Sequence, residues 1–91
     1  MASYLNGTVA VSSIVTGILT IGSEADGVLV QNVGPYPVYI GGSGVTADTS
    51  STGGVLLAPG DKVTLSTVAS ASTELYGVTA AGTAYVSWVA V

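Results

Sequence analysis

The chain has 91 residues and a formal charge of −4, with five acidic residues against a single lysine, and neither cysteine nor histidine. This composition excludes disulfides and thiolate metal sites and removes the commonest general base and transition-metal ligand. Lys62 stands alone where a phosphate-binding surface needs several cations. No enzyme, metal or cofactor site is therefore expected, and no nucleic-acid partner. Apolar residues make up 48% of the chain and charged ones 7%, against a usual charged fraction of about 25%. So few charges protect a surface poorly against self-association. A homo-oligomer, with a trimer favoured, and extensive cover by partners are the expectation.

Residues 1–91 are read as one small β domain, near the size at which burying enough surface becomes difficult. Residues 1–6 carry no Lys or Arg of the kind that opens a secretory signal. The run Val9–Ile21 is too short and too polar to cross a bilayer, so no membrane is expected. It reads as strands Thr8–Val15 and Ile18–Ile21 joined around Thr16-Gly17, with an N-terminal arm over residues 1–22 as the alternative. Asn6-Gly7-Thr8 matches a glycosylation sequon, but without a secretory signal Asn6-Gly7 is read as a turn. Glu24, Asp26 and Gly27 form the next predicted turn, with too few oxygen ligands behind them for a calcium loop.

In Val28–Val33, residues Val28, Val30 and Asn32 share one face and Leu29, Gln31 and Val33 the other. Both faces are largely apolar, as in a strand at the middle of a sandwich or one backed by another subunit. Gly34-Pro35-Tyr36-Pro37 forces a turn. In the strand that follows, Val38 and Ile40 point one way and Tyr39 the other. Tyr36 and Tyr39 are candidate interface anchors, since tyrosine buries area at low entropic cost; rim packing is the competing reading.

Gly41–Gly54 holds five glycines and one charge, Asp48. No Gly-Lys-Ser/Thr follows, and Val45 stands where a nucleophile elbow needs glycine, so a flexible exposed connection is expected. Val55–Leu57 is a strand and Ala58-Pro59-Gly60-Asp61 a tight turn. In Lys62–Ser66, Val63 and Leu65 alternate inward. Residues 67–73 read as a small-residue linker and Glu74–Thr79 as a strand. Ala80–Thr83 reads as a hairpin turn and Ala84–Val91 as the last strand. Trp88 faces with Val86 and is read first as a core residue; it is the third candidate interface aromatic. Val, Thr and Gly dominate and no helical period exists. Seven or eight short strands predict an all-β fold, a small antiparallel β-sandwich or jelly-roll-like barrel.

The runs VLVQNVGPYPVYIGGSGVT (28–46), GGVLLAPGDKVTLS (53–66) and ELYGVTAAGTAYVSWVAV (74–91) together resemble small β-rich virion proteins of tailed bacteriophages. The resemblance covers residues 28–91 and leaves 1–27 without a matching motif. It implies a capsid decoration (cement) protein, made in the host cytoplasm and bound to the major capsid protein or another virion protein on the outer capsid surface. A decoration protein performs no chemistry; it binds the assembled shell in preference to free subunits and so stabilises it by mass action. Two other classes fit the same composition. One is a tail, head-fibre or head–tail connector component. The other is a small carbohydrate- or surface-binding module that stacks sugars on Tyr36, Tyr39 and Trp88.

Overall fold

The computed structural model describes residues 5–21, 27–66 and 73–90. They form eight strands and no helix: β1 (Asn6–Val11), β2 (Thr16–Ile21), β3 (Gly27–Gly34), β4 (Val38–Gly41), β5 (Val55–Leu57), β6 (Lys62–Ser66), β7 (Thr73–Val78) and β8 (Ala84–Ala90). The pairing is nested and antiparallel throughout: β4 with β5, β3 with β6, β2 with β7, β1 with β8. The chain is thus a long ribbon closed by the β4–β5 connection and rolled up on itself. Rolling sends successive pairs into opposite sheets, ordered β1-β8-β3-β6 and β2-β7-β4-β5. This is jelly-roll connectivity on a two-sheet sandwich. Each sheet keeps two free edges, so the barrel form of the expectation is not adopted.

Alternation in the strands builds the core. Val11, Val28, Val30, Val86 and Ala84 of the first sheet meet Ile18, Leu19, Val38, Ile40, Leu57 and Leu75 of the second. All are buried, and the β-branched majority suits a pleated, closely packed layer. β3 lies between β8 and β6; Val28, Val30 and Asn32 share one face, as the alternation predicts, and the structure turns that face inward.

Several local expectations are corrected. Asn6-Gly7 is not a turn: both residues lie in β1, paired with Val89 and Trp88. Gly7 is required there because the Trp88 indole lies on it, and a Cβ would come within 2.9 Å of the ring nitrogen. β1 and β2 are sheet strands and not an arm; the connection between them is 12–15, and Thr16-Gly17 belongs to β2. Ala80–Thr83 does not close a hairpin, because β7 and β8 lie in opposite sheets. The nested pairing forces this, since the partners of β8 in its own sheet are β1 and β3. Of the predicted turn at Glu24, Asp26 and Gly27 and the predicted linker 67–73, only Gly27 and Thr73 are among the described residues, and they open β3 and β7.

The Gly41–Gly54 connection is ordered by its own hydrogen bonds, contrary to the flexible loop expected from its composition. Thr46 N–H donates to Thr52 O (3.0 Å), Gly54 N–H to Thr46 O (3.2 Å) and Gly53 N–H to Ser50 O (2.9 Å). Val45 is buried beneath it. Asp48 Oδ1 accepts from Thr46 Oγ1 (2.9 Å), Ser50 N–H (3.0 Å) and Ser50 Oγ (2.6 Å). The Ser50 amide bond is an Asx-type contact, of the kind by which Ser, Thr, Asn and Asp offer the backbone an alternative to ladder bonds, and the two hydroxyls reinforce it at the same carboxylate.

Candidate functional site

Four connections gather at one end of the sandwich: 12–15, 35–37, 58–61 and 79–83, each of which carries the chain from one sheet to the other. They are tied to one another. Asn32, wholly buried at the end of β3, donates from Nδ2 to Tyr36 O and Leu57 O, both at 2.8 Å. Its Oδ1 accepts Gly34 N–H at 2.8 Å. Its backbone bonds the β5–β6 turn, receiving Gly60 N–H (2.7 Å) and donating to Asp61 O (2.9 Å). One side chain in the first sheet thereby fastens the β3–β4 turn and the last residue of β5 in the second.

The β5–β6 turn has the form expected of Pro-Gly at its centre. Asp61 N–H bonds Ala58 O (2.9 Å), Asp61 Oδ2 accepts Ala58 N–H (3.0 Å), and Gly60 has φ +92°. At the β7–β8 turn, buried Thr79 donates its N–H to Ser12 O (2.9 Å) and its Oγ1 to Gly82 O (2.6 Å). The Tyr36 ring lies on Gly82, where a Cβ would approach ring carbon Cε2 to 2.5 Å. The turn 79–83 is thus bound to both 12–15 and 35–37.

This fastened end is apolar on its outside. Ile14 (76% exposed), Val15, Val33 (59%), Tyr36 and Tyr85 all stand open there, and Pro35, Pro37, Pro59, Ala80 and Ala81 are exposed beside them. Asp61 and Lys62 supply the charges within and beside its turns. Such a surface is pre-organised: its turns are held by buried bonds, so a partner docking on it orders little.

The three candidate aromatics are not brought together. Tyr36 sits on the turn end. Tyr39 is on the outer face of the second sheet, half-buried in a strip with Leu56 on β5 and Val78 on β7. Trp88 is on the inner face of the first sheet, opposite Gly7 and Val30 and packed against the core. The three rings therefore form no common platform. Ile14, Val33 and Tyr85 join Tyr36 at the turn end but were not among the sequence candidates. Val33 and Tyr85 each alternate with a buried neighbour, and that was the available signal; Ile14 reads as mid-strand until the strand is seen to stop at Val11.

A concavity of about 380 Å³ opens at the foot of the Gly41–Gly54 connection. Glycine backbone, Ile40, Val45, Thr52 and Val55 line it, and no charged group reaches it. Among the described residues, no group of three or more His, Cys, Asp or Glu side chains could hold a metal ion, and no helix is long and apolar enough to cross a membrane. No family model, curated protein or solved structure matches the chain.

Proposed function

We propose that the chain is a structural interaction protein, in its specific form a decoration protein on the outer capsid surface of a tailed phage head. The observation that carries the reading is the turn end: four connections fastened through Asn32, Thr79 and Tyr36, with Ile14, Val33, Tyr36 and Tyr85 turned outward. An exposed apolar surface on a pre-organised scaffold supports work by packing against another protein. The phage setting is supported by the resemblance over residues 28–91, and the outer surface by the net negative charge. The partner is the major capsid protein or another virion protein, bound by a homo-oligomer that multiplies modest contacts.

The test is to add the purified chain to heads assembled without it. It should bind in hundreds of copies, on the order of the number of shell subunits, and raise the temperature at which heads open. Replacing Ile14 and Val33 with serine removes two exposed anchors, each worth about 1–3 kcal/mol if central to the contact. Binding should weaken at least tenfold while the melting temperature of the free protein stays unchanged. A single ring of about six or twelve copies would indicate a tail or connector component. Undiminished binding by the double variant would move the contact away from the turn end.

A further inference from the structure

The two sheets leave four edge strands: β1, β6, β2 and β5. An edge strand is a template for strand addition unless it is short, bulged or charged. β5 has three residues. β2 is interrupted by a register shift between Gly17 and Leu19. β6 carries Lys62. β1 has none of these protections: six residues, Asn-Gly-Thr-Val-Ala-Val, regular in register, without charge or proline. Among the described residues nothing pairs with its outer side.

The hydrogen-bond phase shows what that edge offers. Ala90 N–H donates to Leu5 O (2.8 Å), and the β1–β8 register continues through Gly7–Trp88, Val9–Val86 and Val11–Ala84. Odd-numbered residues of β1 therefore bond β8. The N–H and C=O groups of Asn6, Thr8 and Ala10 point the other way, to the free edge. On the outer face, Thr8 ends a polar row that crosses the sheet as Lys62, Gln31, Ser87 and Thr8, with Thr8 Oγ1 and Ser87 Oγ 3.2 Å apart.

We infer that β1 pairs antiparallel with β1 of a second copy about a two-fold axis at Thr8, joining two four-stranded sheets into one of eight strands. The edge is complementary to itself. With Thr8 facing Thr8, Asn6 faces Ala10, and these three pairs exchange two backbone bonds each. Gly7 faces Val9, and Leu5, 47% exposed in the single chain, faces Val11. The polar row runs unbroken across the junction and ends in lysine on both sides. No charge lies between residues 5 and 11, so the pairing brings no like charges opposite one another although each copy carries −4. An unrelated strand could take up the backbone groups, but this match of the rows on both faces belongs to self-pairing. The contact is separate from the turn end, and its two-fold symmetry makes a dimer in place of the trimer suggested by the sequence.

The chain lacks cysteine, so an introduced one is unique. Residues exchanging both backbone bonds have Cα atoms about 5.5 Å apart, within disulfide reach. Thr8→Cys should therefore form a linked dimer under mild oxidation at least tenfold faster than Thr64→Cys, which holds the equivalent place on the free edge of β6. The unmodified protein should sediment as a dimer. Thr8→Lys, at an exposed position, should sediment as a monomer with an unchanged far-ultraviolet circular dichroism spectrum. The inference is overturned by a wild-type monomer or trimer, by a Thr8→Lys dimer, or by Thr64→Cys linking as fast as Thr8→Cys. Open polymers, the product of β1 pairing head-to-tail with β6, would overturn it as well.

Discussion

Two regions of this molecule are each held by a single side chain, an amide or a carboxylate, that gathers three hydrogen-bond partners, and yet they differ in reach. At the turn end Asn32 joins groups up to 25 residues away in sequence and is wholly buried. In the Gly41–Gly54 connection Asp48 joins groups two residues away and is exposed. The first set of bonds holds the two sheets together; the second shapes one loop. In water an exposed bond exchanges with solvent at little net cost, whereas a buried group deprived of its partner keeps the full desolvation penalty. The two hubs should therefore fail very differently.

The largest effect belongs to Asn32. Asn32→Ala strands the buried Leu57 carbonyl and Gly34 amide and the part-buried Tyr36 carbonyl. At about 1–3 kcal/mol for each unsatisfied buried group, partly relieved by relaxation and water, the loss should be about 3 kcal/mol or more. That is a large fraction of the stability of so small a domain. Urea denaturation measures it, and a loss below about 1 kcal/mol would show that the turn end is held by packing and not by this side chain.

The next effects separate two glycines that have similar backbones and different surroundings. Gly60 and Gly82 both have positive φ, +92° and +79°. Nothing lies within 4 Å of a Cβ on Gly60, whereas one on Gly82 would strike the Tyr36 ring. Gly60→Ala should cost only the backbone term, about 1 kcal/mol. Gly82→Ala should cost that plus the displaced ring, about 2–3 kcal/mol. The difference should shrink when Tyr36→Ala is made as well, because the two sites are in contact and their effects do not add. Equal costs at the two glycines in urea denaturation would mean that the ring moves aside freely.

The contrast between the hubs also explains what could be read in advance. Strand positions were legible because alternation is local: Val38, Tyr39 and Ile40, or Lys62 to Ser66, show their faces within three to five residues. The Pro59-Gly60-Asp61 turn was legible for the same reason. Sheet membership was not. Ala80–Thr83 looks like a hairpin because nothing near it records that β8 pairs with β1, more than seventy residues earlier. Asn32 reads as a strand residue on the face of Val28 and Val30, and its partners at Tyr36 and Leu57 come into view only when the ribbon is rolled. Of the candidate aromatics, Tyr36 lies at the turn end and Trp88 against the core, while the exposure of Ile14 depends on where β1 stops. The order within Gly41–Gly54 was hidden because composition counts glycines without recording which hydroxyls meet Asp48.

The smallest effect lies at Asp48, where pH is the probe. The Ser50 hydroxyl, then the Ser50 amide and the Thr46 hydroxyl hold its carboxyl below the usual aspartate range, since all three donate to the charged form. A carboxyl whose folded value is depressed contributes stability that is present above its unfolded value, about 3.9, and is lost as pH falls through the folded value. The contribution is therefore intact at neutral pH and disappears only in acid. Because Asp48 is exposed, its loss should loosen the loop and leave the sandwich folded. Carbon-detected NMR titration should place the Asp48 midpoint below that of a model aspartate. As pH falls through this midpoint, the amide of Ser50 should lose its protection from hydrogen exchange relative to the same amide in Asp48→Asn, whose side chain does not titrate. The amides of Val30 and Val86 in the core strands should keep theirs. A midpoint at the ordinary aspartate value would show that these bonds form no more strongly to the carboxylate than to the acid. Simultaneous loss of protection in loop and core would make the two hubs one cooperative unit, and the difference in reach between Asn32 and Asp48 would then carry no energetic meaning.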